Sequence, residues 1–264
     1  GFKIWDSSLD LGGFLIHHSI GRCDDDEIRS IFCSHLKEES LRVLDIGCGQ
    51  GLVALSATYG MSSLRSQLES HCVISYTLQD YDMEVLSKAT VSNVRSNLPL
   101  MRDTTMNNFK FFQVKWKTLS QLLLREVPKE RRDPLSNVRL EAFEILVGSD
   151  ILFSPDSCDD IASLLIVNAL LYYSHKNEIA RLDSQRLLSP IAFIGTKKHY
   201  FGTNGSVQYF LHRLHTRSKE FRQYALSVFS LPENFELRPF SKTYWTSPEK
   251  DRIILSIAFH VSQE

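Results

Sequence analysis

The sequence predicts an α/β fold: a mostly parallel sheet with an antiparallel last strand, helices on both faces and an N-terminal helical lid. Three observations carry that prediction. Apolar, β-branched runs recur along the chain, and most are followed by a stretch with helical spacing. The first run, Arg42 to Ile46, ends in Gly47, Gly49 and Gly51 and gives way from Leu52 to Tyr59 to apolar residues at helical intervals. Near the end, Tyr224 to Ser230 and Ile253 to Phe259 both read as strands, an expected antiparallel hairpin.

Length and composition set the outer bounds. A chain of 264 residues can bury a sizeable core in one domain and need not be divided. The expected organisation is residues 1–40 as lid helices packed on the core and 41–264 as a single structural unit. A formal net charge of -1 with 23% charged residues makes no global demand for nucleic acid or an anionic membrane. Direct nucleic-acid binding is therefore not expected, and neither is a membrane, because no apolar run approaches the roughly 20 residues of a span. Five cysteines at 23, 33, 48, 72 and 158 form no C-x-x-C pair, so no zinc site or disulfide framework is predicted. Free thiols fit a reducing compartment, here cytoplasm or nucleus. The chain starts inside patterned sequence, as a fragment lacking an N-terminal extension would.

The elements follow in order. Gly1 to Asp6 is a short apolar segment, and two helices come after it, one to His18 and one from about Asp24 to Glu39. Trp5 would anchor them over a ligand, with a place in the core as the alternative. After the glycine turn, Cys72 to Asp80 reads as a second strand and Met83 to Val94 as a helix. Phe109 to Val114 is a third strand, Leu119 to Leu124 opens a helix, and the Pro-bounded charge run 128–134 is a solvated loop. Phe143 to Val147 is a fourth strand ending at Gly148-Ser149-Asp150, Asp156 to Tyr173 a long helix, and Pro190 to Gly195 a fifth strand. The aromatic, glycine-bearing loop after it, Thr196 to Ser206, is expected to face a substrate. Val207 to Phe221 is helical; its His212 and His215 have no carboxylate or Cys in reach by sequence, so no metal is predicted. Its Arg213, Arg217, Lys219 and Arg222 read as a solvated face.

The glycine turn selects among ligands by spacing. A dinucleotide fingerprint needs G-x-G-x-x-G, and counting from Gly47 its third glycine would fall at position 52, which is Leu. Here the glycines stand at alternate positions with Asp45 before them, D-x-G-x-G-x-G. Asp45 would set a carboxylate where a pyrophosphate belongs, and like charges repel. S-adenosyl-L-methionine, with a sulfonium and an ammonium beside one carboxylate, suits an anionic wall. Asp80, at the tip of the second strand, is placed to take ribose hydroxyls or to cap the following helix, with Tyr81 beside the adenine.

Asp45 with the three glycines resembles the first motif of the class I methyltransferases, whose Rossmann-like seven-strand sheet the element order also matches. Further pieces resemble one branch of that superfamily, the histidine protein methyltransferases that modify a large-subunit ribosomal protein. They are Gly1-Phe2-Lys3-Ile4-Trp5-Asp6 with Leu9-Asp10-Leu11, Gln79-Asp80-Tyr81-Asp82 with Asn93, Ser149-Asp150-Ile151-Leu152-Phe153-Ser154, and Tyr200-Phe201-Gly202 with Gly205-Ser206-Val207. Asp6, Asp82 and Asp150 stand where that branch usually has Glu, Asn and Glu, and Thr203-Asn204 replaces an apolar-glycine pair. Lys115, before Trp116, replaces a more usual acid and cannot accept the adenine amino protons.

The resemblance implies S-adenosyl-L-methionine as cofactor, a protein substrate that includes a ribosomal candidate, and a monomeric enzyme. Cofactor contacts are expected from Trp5, Asp45, Gly47, Cys48, Gly49, Gly51, Asp80, Tyr81, Trp116 and Ser149. Phe153, Tyr200 and Phe201, with Gly202 in the same loop, would wall a flat acceptor ring. An imidazole of pKa about 6.5 is largely neutral near pH 7 and already offers a lone pair. Asp150 is the catalytic candidate, orienting that ring or taking its proton; cofactor binding or capping of the next helix are its alternative roles. Transfer to a protein lysine or another nucleophile would leave the cofactor half of the site looking the same, and a catalytically silent module could keep the fold for a ribosome-assembly contact.

Overall fold

The computed structural model describes residues 3–20, 27–101, 103–125, 141–180, 189–228, 235–247 and 251–262. Seven strands are present among them: β1 (Ser40–Ile46), β2 (Val73–Asp80), β3 (Phe109–Gln113), β4 (Ile145–Ser149), β5 (Ile191–Lys197), β6 (Glu236–Ser247) and β7 (Arg252–Ser262). They form one sheet in the order β3-β2-β1-β4-β5-β7-β6. Only the β5–β7 and β6–β7 pairs are antiparallel, so β7 alone runs against the rest. The chain reverses direction across the sheet between β1 and β4, the topological switch point at which α/β crevices form.

Strand residues alternate between two cores. Leu41 and Val43 of β1 join the layer made by α1 (Asp6–Ile20), α2 (Glu27–His35) and α3 (Leu52–Gln67). Leu44 and Ile46 join the opposite layer, made by α6 (Trp116–Arg125), α7 (Pro155–Ala180) and α8 (Val207–Val228). Between β2 and β3 lie α4 (Met83–Val85), a π turn Leu86–Thr90 and α5 (Val91–Asn97).

The N-terminal helices are a wall of the first core. Leu11 and Leu15 are wholly buried, and Gly12 brings α1 so close to α3 that a Cβ there would stand 2.6 Å from Ser56 Oγ. What borders the ligand crevice is the stretch Lys3–Trp5 ahead of α1, together with Ser8.

One expected element is corrected. Tyr224 to Val228 completes α8, and the hairpin partner of β7 is β6, residues 236–247. The helical spacing that begins at Val207 runs on through this apolar stretch, whereas β6 is an edge strand of mixed polarity that escapes a search for apolar runs. Leu237 is buried and Phe240 half exposed, and Pro239, which lacks a ladder donor, sits where an edge strand tolerates it. Helix α3 also runs eight residues past Tyr59, and the Met83–Val94 helix is interrupted by the π turn. The charge run 128–134 lies outside the described residues.

Candidate functional site

A cavity of about 440 Å³ opens at the carboxyl ends of β1, β2, β4 and β5. Its floor is the glycine turn. Gly47, Gly49 and Gly51 have φ of +62°, +51° and +79°, a run of left-handed conformations that side chains disfavour. A Cβ on Gly47 would stand 3.1 Å from Ile151 and 3.2 Å from the Trp116 ring, filling the space into which a ligand must come.

The turn is held by buried polar groups on β2. Gln79, fully buried, accepts the Gly47 N–H at Oε1 (3.0 Å) and the Trp116 indole N–H at the same oxygen (3.0 Å). Its backbone carbonyl accepts the Cys48 N–H at 2.8 Å. Asp80 Oδ2 accepts the Gly49 N–H at 2.9 Å, and Oδ1 accepts the Asp82 N–H at 3.0 Å. From the far side Thr90 donates its hydroxyl to the Gly49 carbonyl at 2.6 Å. Thr90 ends the π turn, an irregularity that recurs at functional sites. Asn93 Nδ2 adds a bond to the Gln50 carbonyl at 3.1 Å. Apart from the Trp116 indole, each of these bonds fixes backbone, so the cradle is set before a ligand enters.

Most of the residues expected around a cofactor meet in this cavity. Trp5, Gly47, Cys48, Gly49, Asp80, Tyr81, Trp116 and Ser149 line it. Trp5 is 46% exposed, so it is not core filler. The cap of α4 is Asp82, accepting from Glu84 N and Val85 N, which leaves Asp80 to the turn. Asp45 and Gly51 do not line the cavity. Strand alternation turns Asp45 toward α3, where Oδ2 accepts the Ala54 N–H at 3.0 Å and Oδ1 has no hydrogen-bond partner. Burial pushes its carboxyl up to about 8, with Asp80 reinforcing the shift. The carboxyl side chains that do line the cavity are Asp80 and Asp150. Gly51 instead caps α3 in its left-handed conformation, and its absent Cβ makes room for Thr90 and Leu78. Burial likewise pushes the Cys48 thiol well up, which argues against a thiolate nucleophile.

The second half of the cavity is built around Asp150. Directly after β4 it takes φ +53°, a strained left-handed turn that Asp tolerates better than most residues. Tyr200 donates its hydroxyl to Asp150 Oδ1 at 2.6 Å, while Oδ2 is buried with no partner. Burial and the neighbouring carboxylate push the Tyr200 phenol well up, so it stays protonated and donating. Asp150 does not cap α7; Ser154 does, accepting the Ser157 N–H at 3.1 Å. Phe153 lies 6.0 Å from the Trp116 ring, and Phe201, 96% exposed, stands at the mouth. Gly202 (φ +83°) turns the 200–205 loop in open space and is not a wall residue. The loop closes back on β4: Thr203 donates to the Phe153 carbonyl, and a Cβ on Gly205 would stand 2.2 Å from the Phe153 backbone.

Gln79, Thr90 and Ser8 are site residues that sequence reading passed over as such, whereas Lys197 lies in the loop 196–206 expected to face a substrate. Gln79 alone left a signal, an amide inside an apolar strand, which a packed sheet accepts only when its groups are bonded. Among the described residues no cluster of His, Cys, Asp or Glu is placed to hold a metal, and no helix is long and apolar enough to cross a membrane. On α8, Arg213 and Arg217 are paired with Asp159 rather than free for a polyanion.

Sheet order, an alternate-glycine turn on the first strand and carboxylates at the tips of β2 and β4 together define the class: a Rossmann-like, seven-strand fold of the class I methyltransferase kind. No protein-family profile matches the chain. Within the class it is similar to the histidine protein methyltransferase 1 homolog of Mus musculus, 24% identical over 229 residues, 80% of this chain and 48% of the relative. The protein of the same name from Dictyostelium discoideum is 23% identical over 213 residues, 80% of this chain and 47% of its own. The chain thus spans about half the length of the curated relatives it matches. Among solved structures, an O-methyltransferase family protein from Burkholderia thailandensis aligns over 97% of this chain and 57% of its own, at 10% identity and a TM-score of 0.47.

Proposed function

We propose that the chain is the catalytic part of an S-adenosyl-L-methionine-dependent methyltransferase that modifies a histidine side chain of a protein. The site residues fit that cofactor. The Gly47 cradle is a space that a Cβ would fill, Trp116 offers a ring face, and Asp80 offers an acceptor to ribose beside the turn it fixes. When bound, the cofactor supplies an electrophilic methyl group on a sulfonium. The chain's own residues bind and orient: the turn sets the depth of the nucleoside, and Asp80 and Asp150 give cationic groups a favourable field.

The observation that carries the acceptor reading is Asp150. Its carboxylate lines the same cavity as the rings of Phe153 and Tyr200, with Oδ1 accepting the Tyr200 hydroxyl at 2.6 Å. The Asp150 carboxylate, which lines the cavity, can accept one imidazole N–H and leave the opposite nitrogen's lone pair facing the cofactor side, then hold the released proton. A lysine acceptor would have to lose a proton before it could attack, whereas an imidazole near pH 7 already offers a lone pair. The names of the curated relatives support the same acceptor. A ribosomal protein as substrate, action as a monomer, and a cytoplasmic or nuclear location belong to this proposal as well.

Incubation with methyl-labelled S-adenosylmethionine and a cell lysate, followed by acid hydrolysis and amino-acid analysis, tests it. Label in methylhistidine is expected. Label in methyllysine with none in methylhistidine contradicts the acceptor assignment.

A further inference from the structure

The stretch Lys3–Trp5 has no strand or helix of its own, so whatever fixes the first turn of α1 fixes Trp5 over the cavity. Three attachments fix it. The missing Cβ of Gly195 lets the turn lie on β5, where a side chain would come 2.7 Å from the Ser7 carbonyl. The Ser8 and Ser149 hydroxyls meet at 2.6 Å. The third is Arg252 at the start of β7, only 6% exposed, which reaches Asp6 Oδ2 at 2.7 Å and Asp10 at 3.3 Å (Nη2–Oδ1) and 2.5 Å (Nε–Oδ2). Arg252 stands opposite Lys197 in the β5–β7 ladder, and the Lys197 ammonium lies 6.0 Å from the Trp5 ring.

The first two attachments are a packing contact and a neutral hydrogen bond. Only the third sets a nearly buried cation between two carboxylates, and leaving such a charge unpartnered is far costlier than losing a neutral contact. We propose that Arg252 is a positioning residue: by clasping Asp6 and Asp10 it holds Trp5 over the glycine turn and thereby sets the affinity of the ligand bound there. The proposal rests on the cavity's being an adenosyl cofactor site. It makes cofactor affinity depend on a residue that does not itself line the cavity.

Two readouts test it, on Arg252→Met, on Arg252→Lys and on Asp6→Asn, whose mostly exposed side chain leaves folding safe. In ligand-free protein, hydrogen exchange of amides 5–10 is expected to speed up in Arg252→Met and Asp6→Asn while β1 and α3 stay protected. Calorimetry with S-adenosylhomocysteine is expected to show about tenfold weaker binding for Arg252→Met, as follows if the stretch is in place about a tenth of the time. Arg252→Lys should recover part of that loss. Trp5→Ala should weaken binding on its own, and adding Arg252→Met to it should weaken binding no further. Wild-type exchange and affinity in folded Arg252→Met or Asp6→Asn, or losses that add in the double variant, overturn the proposal. If wild-type protein takes up no S-adenosylhomocysteine, the cofactor reading fails instead, and the exchange measurement still decides whether the clasp holds the stretch.

Discussion

The two halves of the cavity are built differently. The floor, Gly47 to Gly51, is braced by Gln79, Asp80, Thr90 and Asn93, which bond the N–H groups of Gly47, Cys48 and Gly49 and the carbonyls of Gly49 and Gln50. The opposite wall and mouth are exposed rings, Trp5, Tyr81, Phe153 and Phe201, with the Asp150 carboxylate beside them. A floor braced in this way suits a ligand that never changes. Exposed aromatics on loops suit a partner that arrives as a folded surface and brings its own hydrogen bonds.

Substitutions that break the floor should have the largest effects. Gly47→Val forces a branched side chain into φ +62° and into the Trp116 ring. Strain and overpacking together cost about 3 kcal/mol or more, so S-adenosylhomocysteine binding should fall at least a hundredfold by calorimetry. Asp150→Asn sharpens the contrast, because it removes the carboxylate proposed to take the proton and leaves the floor intact. Methyl transfer should drop roughly a hundredfold to a thousandfold while cofactor affinity stays within about threefold. Equal losses of both would assign Asp150 to the cofactor. Tyr200→Phe, which removes the hydroxyl that occupies Asp150 Oδ1, should cost about tenfold in transfer.

Asp45 gives the floor a pH signature. Its carboxyl is held at about 8 in the fold against 3.8 for the free group, so the fold binds a proton that the unfolded chain has lost. The stability this gives is complete below about pH 4 and is lost as the pH rises toward 8. Chemical denaturation across that range should show wild-type stability declining relative to Asp45→Asn; parallel curves would mean an ionised Asp45. The smallest effect belongs to the mouth. Phe201→Ala should change stability by less than about 0.5 kcal/mol and leave cofactor affinity alone, while raising KM for the protein acceptor several-fold.

Legibility in the sequence follows the same division. The floor could be read because its requirements are local: each glycine is demanded by its own backbone angle, and Asp80 ends its own strand. Asp45 was found for the wrong role, since spacing places it beside the turn but cannot say that alternation points it into α3. Gln79 and Thr90 act across the chain, on Gly47 and Trp116 and on Gly49, and no local pattern announces such partners. The edge strand β6 was missed for a related reason: half its face meets water, so its polarity resembles that of a loop. At the mouth, Tyr200 and Phe201 were recognisable as part of a loop at a strand end, and they do border the cavity, but the bond from Tyr200 to Asp150 joins residues fifty positions apart and emerged only with the fold.

Titration of the wild-type protein with S-adenosylmethionine by calorimetry tests the central claim most directly. The account predicts saturable uptake at one site per chain, lost on Gly47→Val and kept on Asp150→Asn. No uptake by correctly folded wild-type protein, or equal uptake by the Gly47→Val variant, would contradict it.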